Sequence, residues 1–559
     1  MDSSDHSTGH TLARIPGISA PKGPVVLCIL DGVGWGRRDD GDAVYVANTP
    51  HIDQLFASSP NRLISAHGTA VGLPSDADMG NSEVGHNALG AGRVFDQGAK
   101  LVDEAIETGS MFTSEIWSSL TERRCLHFIG LLSDGNVHSH IDQLFAMIKR
   151  AHHDGVKTLR VHVLTDGRDV TERSSLDYIR PLEALLRTCC DSGADYAIAS
   201  GGGRMHITMD RYEAEWAMVK RGWDCHVHGV GRPFHSAEKA ITALYEEDPS
   251  INDQFLPAFV IVDDAGVPKG RIQDGDGVVF FNFRGDRALE ISQAFEGRHL
   301  PSAFDRTGPA GEAPPEVLYA GLMQYDGDLL VPHQYLVEPP AIDRTLGEFL
   351  TAAKIPSFAI AETHKFGHVT YFFNGNNSQP FDTSLETWRE VTSRPGAIEA
   401  APEMRAFEVA EATSEAIRSG KYGHVRLNYA NGDMVGHTGD FDATVRAMEI
   451  VDDCVGRLVK DVRDSGGVLL LTADHGNADQ MFEIDKKTQG YKTFETGKRQ
   501  VKTSHTLNPV PFVLFDPSGR LQLETSSPAG LGNVTAAVLT ATGLQPPEDY
   551  LSSLVSITP

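Results

Sequence analysis

Residues 24–36 read PVVLCILDGVGWG. The first seven, Pro24 to Leu30, are apolar and β-rich without alternation, and the run stops at Asp31-Gly32. A continuous run of this length fits a strand of a parallel sheet covered on both faces. The pattern recurs downstream. Val425–Tyr429 stops at Ala430-Asn431-Gly432-Asp433, and Gly467–Thr472 stops at Ala473-Asp474-His475-Gly476. Helical patterns lie between. Pro402–Ser419 opens on a proline suited to a first helical turn and is followed by Gly420. Phe441–Val462 places Met448, Val451, Val455, Leu458, Val459 and Val462 on one apolar stripe. Strands alternating with helices predict an α/β fold, doubly wound in style.

The middle of the chain repeats that logic with different chemistry. Leu126–Leu132, Leu159–Leu164, Tyr196–Ser200 and Gly277–Phe283 read as strands. They end at Ser133-Asp134-Gly135, Thr165-Asp166-Gly167-Arg168-Asp169, Gly201-Gly202-Gly203-Arg204 and Arg284-Gly285-Asp286-Arg287. Arginine marks these strand ends, whereas Asp and His mark the outer three. That contrast divides the chain into two α/β domains. The glycine run before Arg204 is a weak phosphate-loop signal.

The 559 residues carry 49 Lys and Arg against 76 Asp and Glu, a net charge of −27. A nucleic-acid or anionic-membrane binder needs a basic face, so no nucleic acid and no membrane is expected as partner. No apolar run reaches the roughly 18 residues of a membrane span. Residues 1–23 are polar, without the apolar core of a secretory signal, and the expected location is cytoplasmic. The six cysteines include no CxxC pair and read as reduced thiols.

In open α/β sheets ligands bind beyond the carboxyl ends of the strands. Asp31, Asp433, Asp474 and His475 lie there, with His437 four residues after Asp433 and His505 downstream. Mixed carboxylate and imidazole sets suit Mn²⁺, Zn²⁺ or similar ions. Met79–Asn87 (MGNSEVGHN) sets Ser82 between glycine-bearing turns, outside the GxSxG pattern. A metal can lower a serine hydroxyl's pKa enough to make it a nucleophile. Arg168, Arg204, Arg211, Arg284, Arg287 and Lys365 form a cationic set able to hold an anion. Two divalent ions would balance Asp31, Asp433, Asp474 and an ionised Ser82, leaving those cations for the substrate. Gly32-x-Gly34 lacks the third glycine of a dinucleotide fingerprint, since Arg37 stands there.

Long blocks carry a resemblance: LDGVGWG from Leu30, HGTAVGLPSDADMGNSEVGHNALGAGR from His67, LLSDGNVHSH from Leu131, LTDGRDV from Leu164, IASGGGRMHITMDRY from Ile198, FNFRGDR from Phe281, ETHKFGHVTYFFNG from Glu362, NGDMVGHTGD from Asn431, LTADHGN from Leu471 and TSHTLNPVP from Thr503. In this order they resemble the cofactor-independent phosphoglycerate mutases of the alkaline phosphatase superfamily. The resemblance implies an alkaline-phosphatase-like metal domain, residues 1–96 and 336–559, with a glycerate-binding transferase domain, 97–335, inserted into it. It implies one metal on Asp433, His437 and His505. The other would sit on Asp31, Asp474, His475 and Ser82. The ions would be Mn²⁺ first, with Co²⁺, Mg²⁺ or Zn²⁺ also able to serve. Substrate contacts carry over to His138, Arg168, Asp169, Arg204, Arg211, Arg284, Arg287 and Lys365. The implied reaction moves a phosphoryl group between the 3- and 2-hydroxyls of glycerate through phosphoserine at Ser82, with Lys365 at the leaving oxygen and Asp169 as base. A small-molecule substrate and a monomer follow. Asn136 stands where the family has glycine, so a positive φ is expected there. Residues 486–502 read as an exposed insertion. The competing readings are a phosphatase or sulfatase on the same metal core, and a silent binding descendant.

Overall fold

Every residue of the Val25–Leu30 strand is buried, and parallel neighbours flank it on both sides: His424–Tyr429 and Val468–Thr472. This is the environment its unbroken apolar run requires. The computed structural model describes residues 11–211, 215–326, 329–339, 342–485, 487–494 and 496–558. It divides into two compact units, Met1–Gln97 with Ala341–Pro559, and Gly98–Pro340. The expected insert, 97–335, differs from the second unit by one residue at its start and five at its end.

In the first unit a seven-stranded sheet runs in the order Glu386–Val391, Ser357–Glu362, His424–Tyr429, Val25–Leu30, Val468–Thr472, Val510–Phe515, Asn61–Ile64. The first five strands are parallel, and Val510–Phe515 is antiparallel to both its neighbours. Leu30 pairs with Tyr429 and Ile29 with Thr472, so Asp31, the Asn431–Gly436 helix and Asp474 leave the sheet at one edge. The helix Phe441–Ser465 starts on the side-chain cap of Asp440 and stops at Gly466, whose φ of 69° ends it in the left-handed region. The other expected helix starts later than Pro402, at Ala406. Met404 has a φ of 45°, which breaks helical geometry, and the Pro402 carbonyl accepts from Asn431 Nδ2 at 2.7 Å instead.

In the second unit the order is Tyr335–Val337, Leu318–Met323, Gly277–Phe280, Leu126–Leu131, Thr158–Thr165, Asp195–Gly203, Phe259–Ile261, Arg232–Phe234. The first six are parallel. Asp195–Gly203 runs three residues past the expected end at Ser200. A side chain at Gly203 would come within 2.2 Å of the Gln254 carbonyl. Close backbone approach in a strand therefore explains this glycine, and the phosphate-loop reading lapses. Asn136 has the expected positive φ, 54°.

Antiparallel bridges join Phe482 to Val501, Ile484 to Tyr491 and Thr493 to Arg499. Side chains of this segment reach the loop after the first strand: Tyr491 Oη donates to Asp39 at 2.5 Å and Arg499 Nη2 to Asp40 at 2.8 Å. The six cysteines are free thiols, five of them buried. No helix among the described residues is long and apolar enough to cross a membrane.

The core of the second unit holds a buried polar chain. His127 Nδ1 meets His162 Nε2 at 3.0 Å, and His162 Nδ1 meets Ser200 Oγ at 2.7 Å. Ser200 Oγ meets His226 Nδ1 at 2.9 Å. Burial lowers all three imidazole pKa values, that of His226 to about 3. The unfolded chain takes up these protons near pH 6.5 and the folded chain does not, so the unfolded state binds more protons below that pH. Stability should therefore fall as pH drops from about 6.5 toward 3, by up to about 1.4 kcal/mol per pH unit for each histidine. Urea midpoints across that range measure the slope, and His162→Gln should reduce it.

Candidate metal and anion sites

In the first unit, five distant segments bring oxygen and nitrogen donors to one buried place. Ser82 is the first residue of the helix Ser82–Ala91, whose N-cap Asn81 accepts from the Val84 amide. Asp433 and His437 are one turn apart on the short helix that follows His424–Tyr429. Asp31, Asp433, Asp474, His475, His437 and His505 are all buried.

His437 Nε2 and His505 Nε2 stand 3.0 Å apart. Each ring rests its Nδ1 on a carbonyl, Thr503 O at 2.5 Å and Gly80 O at 2.8 Å. A carbonyl only accepts, so each Nδ1 carries a proton there and each Nε2 is turned toward the other ring. Asp433 Oδ1 lies 3.0 Å and 3.1 Å from those two nitrogens. Two imidazole nitrogens and a carboxylate oxygen converging on one point form a set that can hold a divalent cation.

The second group is Asp31, Asp474 and His475, with ligand atoms within 4.8 Å of one another. Ser82 Oγ lies 2.9 Å from His475 Nε2 and 3.2 Å from Asp31 Oδ1. Asp474 Oδ2 is buried without a hydrogen-bond partner among the described residues, and its nearest nitrogens are His86 Nδ1 at 3.4 Å and His475 Nε2 at 3.6 Å. An orphaned buried carboxylate oxygen beside an imidazole and a hydroxyl also fits a metal ligand set. Between the groups, Lys365 Nζ donates to Asp31 Oδ1 at 2.6 Å, Ser82 Oγ at 2.5 Å and Asp433 Oδ2 at 2.8 Å. Burial and the neighbouring Asp474 raise the Asp31 carboxyl to about 6. Burial opposes the Lys365 charge, but Asp31, Asp433 and Asp474 outweigh it and raise its pKa. One ammonium among three carboxylates leaves a negative excess, which suits cations.

The second unit gathers the opposite charge. Arg204 Nη1 donates to Asp166 Oδ1 at 2.7 Å and also to Asp169. Arg284 grips Asp286 through two bonds, at 2.9 and 3.1 Å, and Arg211 lies 3.7 Å from the same carboxylate. Burial and then the charges of Arg204, Arg284, Arg287 and Arg168 hold His138 well below its usual pKa. Burial and then Arg211, Arg204 and Arg168 depress the Arg287 pKa. Five arginines thus share three aspartates, Asp166, Asp169 and Asp286, and the remaining positive charge suits an anion. The fold brings together seven of the substrate residues predicted from sequence, all in this unit. Lys365 belongs to the first unit, among the metal candidates.

A Metalloenzyme superfamily model matches residues 23–546. A probable 2,3-bisphosphoglycerate-independent phosphoglycerate mutase of Leptospira interrogans is 52% identical over 95% of this chain and 97% of its own length. The 2,3-bisphosphoglycerate-independent phosphoglycerate mutase of Trypanosoma brucei brucei is 50% identical over 96% and 98%. The chain belongs to this mutase family. A crystal structure of Leishmania mexicana phosphoglycerate mutase at low cobalt concentration superposes with a TM-score of 0.94, at 47% identity, covering 98% of this chain and all of that one. The family is one of isomerases, and the α/β architecture read from the sequence is the fold of this mutase structure.

Sequence reasoning about this mutase missed the residues that brace the ligands. Asn428 Nδ2 donates to Asp31 Oδ2 at 2.6 Å and lies 3.1 Å from His86 Nε2, while His86 Nδ1 meets the Ser82 carbonyl at 2.7 Å. His86 stands four residues after Ser82, which the helical spacing could have flagged; Asn428 was a polar residue inside an apolar strand run. Asp166 and Asp286 were visible only as strand-end residues. Arg287 is buried among like charges, so Arg287→Met should raise the thermal midpoint by about 2 °C or more in anion-free buffer. The same substitution should reduce any further rise given by an added small carboxylate or phosphate anion, as scanning calorimetry would show.

Proposed function

We propose that this chain interconverts 3-phosphoglycerate and 2-phosphoglycerate through a phosphoserine at Ser82, with two divalent ions and without 2,3-bisphosphoglycerate. The observation that carries the proposal is Ser82 Oγ at 2.5 Å from Lys365 Nζ and 2.9 Å from His475 Nε2, at the start of a helix. One ion would be held by Asp433, His437 and His505, the other by Asp31, Asp474, His475 and Ser82. When bound, such ions supply Lewis-acid stabilisation of phosphoryl oxygens and lower the pKa of a coordinated hydroxyl. Mn²⁺ is the ion first proposed, and Co²⁺ is supported by the cobalt named for the Leishmania structure.

Ser82 Oγ gives up its proton and attacks the phosphorus, the bond from phosphorus to the glycerate 3-oxygen breaks, and glycerate leaves as that oxygen takes up a proton. Lys365 Nζ donates a hydrogen bond to that leaving oxygen or to a phosphoryl oxygen, a positive charge placed where negative charge develops. Arg284, Arg287 and Arg204 hold the glycerate carboxylate, and Arg211, Arg168 and His138 make further contacts to the substrate. The glycerate then presents its 2-hydroxyl. Asp169, ion-paired with Arg204, accepts the proton of that hydroxyl as it takes the phosphoryl group back. Holding glycerate between the steps is what separates a mutase from a phosphatase. The substrate is a small molecule, and we place the reaction in the cytoplasm, carried out by a monomer.

A ³¹P NMR time course with 3-phosphoglycerate and Mn²⁺ tests this. The 2-phosphoglycerate signal should grow, and Ser82→Ala or EDTA should reduce its rate by about a thousandfold or more. Growth of inorganic phosphate alone would make the protein a phosphatase. No change with Mn²⁺, Co²⁺, Mg²⁺ or Zn²⁺ would favour a binding protein. Metal analysis should find two ions in the wild type and one in His437→Gln.

A further inference from the structure

Thr208 is buried and has a φ of 71°. A β-branched residue in the left-handed region is a backbone outlier and persists only where the surroundings enforce it. The helix Trp216–His226 enforces it with three groups on one face. The Met218 carbonyl accepts from the Thr208 amide at 3.0 Å. Gly222 leaves the hole that Thr208 fills, since a Cβ there would lie 2.1 Å from Thr208 Oγ1. One turn later, His226 Nε2 meets Thr208 Oγ1 at 2.9 Å. The other nitrogen of His226 is fixed by Ser200, so the ring cannot swing away without breaking the buried chain.

The strained residue sits between two arginines of the anion cluster. Arg204 lies four residues before it and Arg211 three after. The next residue, Met209, turns its carbonyl to Arg287 Nη1 at 2.7 Å. If Thr208 relaxed to an ordinary φ, the peptide that follows would rotate, and Arg287 would lose the acceptor that aims it. We infer that Thr208 and His226 form a backbone lock that positions Arg287 and Arg211 for the anionic end of the substrate. Both are positioning residues, acting through the arginines. The inference deepens the proposed function and rests on its assignment of those arginines to phosphoglycerate.

The test reads binding apart from turnover. In a Ser82→Ala background, which blocks turnover, calorimetric titration with 3-phosphoglycerate gives Kd for Thr208→Gly, Thr208→Ser and His226→Ala. Glycine accepts the positive φ without strain but has no hydroxyl, whereas serine keeps the hydroxyl. Thr208→Gly and His226→Ala should each raise Kd about tenfold, their combination should raise it no further, and Thr208→Ser should restore the parent value. With Ser82 intact, Thr208→Gly should raise KM about tenfold and leave kcat within about threefold. The thermal midpoint of Thr208→Gly should stay within about 3 °C of the parent, because relief of strain offsets the lost hydrogen bond. An unchanged Kd in Thr208→Gly, or independent, additive effects of the two substitutions, would overturn the lock. A shifted Kd in a protein that does not interconvert phosphoglycerates would leave the lock standing and remove the mutase reading. A variant of His226 that fails to fold leaves the decision to the Thr208 pair.

Discussion

The first unit is organised around one electrostatic constraint: three carboxylates and three imidazoles buried around a single ammonium. Asp31, Asp433 and Asp474 are each almost fully buried, and among the described residues the permanent positive charge bonded to Asp31 and Asp433 is that of Lys365. Burying charge is tolerable only when it is paired and hydrogen-bonded. Much of the surrounding architecture answers that demand. Strands end at the same edge, the Ser82 helix points its N-terminus there, and Asn428, His86 and two backbone carbonyls fix the remaining polar atoms. The arrangement favours cations for the same reason that it would be costly as a purely structural core.

The second unit solves the inverse problem. Arg204, Arg211, Arg284 and Arg287 are buried, partly neutralised by Asp166, Asp169 and Asp286, and Arg287 is held by the Met209 carbonyl. Partial compensation is the useful condition. Complete pairing would leave nothing for a ligand to gain, and no pairing would unfold the cluster. The His127–His162–His226 chain is likewise fully bonded and neutral, which keeps further positive charge out of the same core.

Much of this was legible in the sequence because chemistry-bearing residues stood at the ends of unbroken apolar runs. PVVLCIL-Asp31 and GVLLLT-Ala473-Asp474-His475 announced both a parallel strand and the edge where donors collect. The Asp433–His437 spacing matched one helical turn. What stayed hidden depended on tertiary contact. Nothing local marks Met404 as a helix breaker, and Pro402 read naturally as a first turn until the Asn431 side chain claimed its carbonyl. Gly203 suggested phosphate binding because sequence cannot show the Gln254 carbonyl that requires it. Thr208 carried no signal at all, since threonine is an unexpected residue for a left-handed position.

The strand order of the first unit has a consequence for how the chain is made. Val25–Leu30, the central strand, pairs only with His424–Tyr429 and Val468–Thr472, about 400 and 440 residues later. Its partners emerge from the ribosome near the end of synthesis, while the strands Leu126–Leu131 through Leu318–Met323 of the second unit find theirs within about 200 residues. Domains fold as units during synthesis. The second unit therefore completes its sheet first and turns a long, entropically costly loop into a folded body before the outer sheet closes. Until then the apolar segment 24–30, which ends in a metal-ligand candidate, waits without its partner strands.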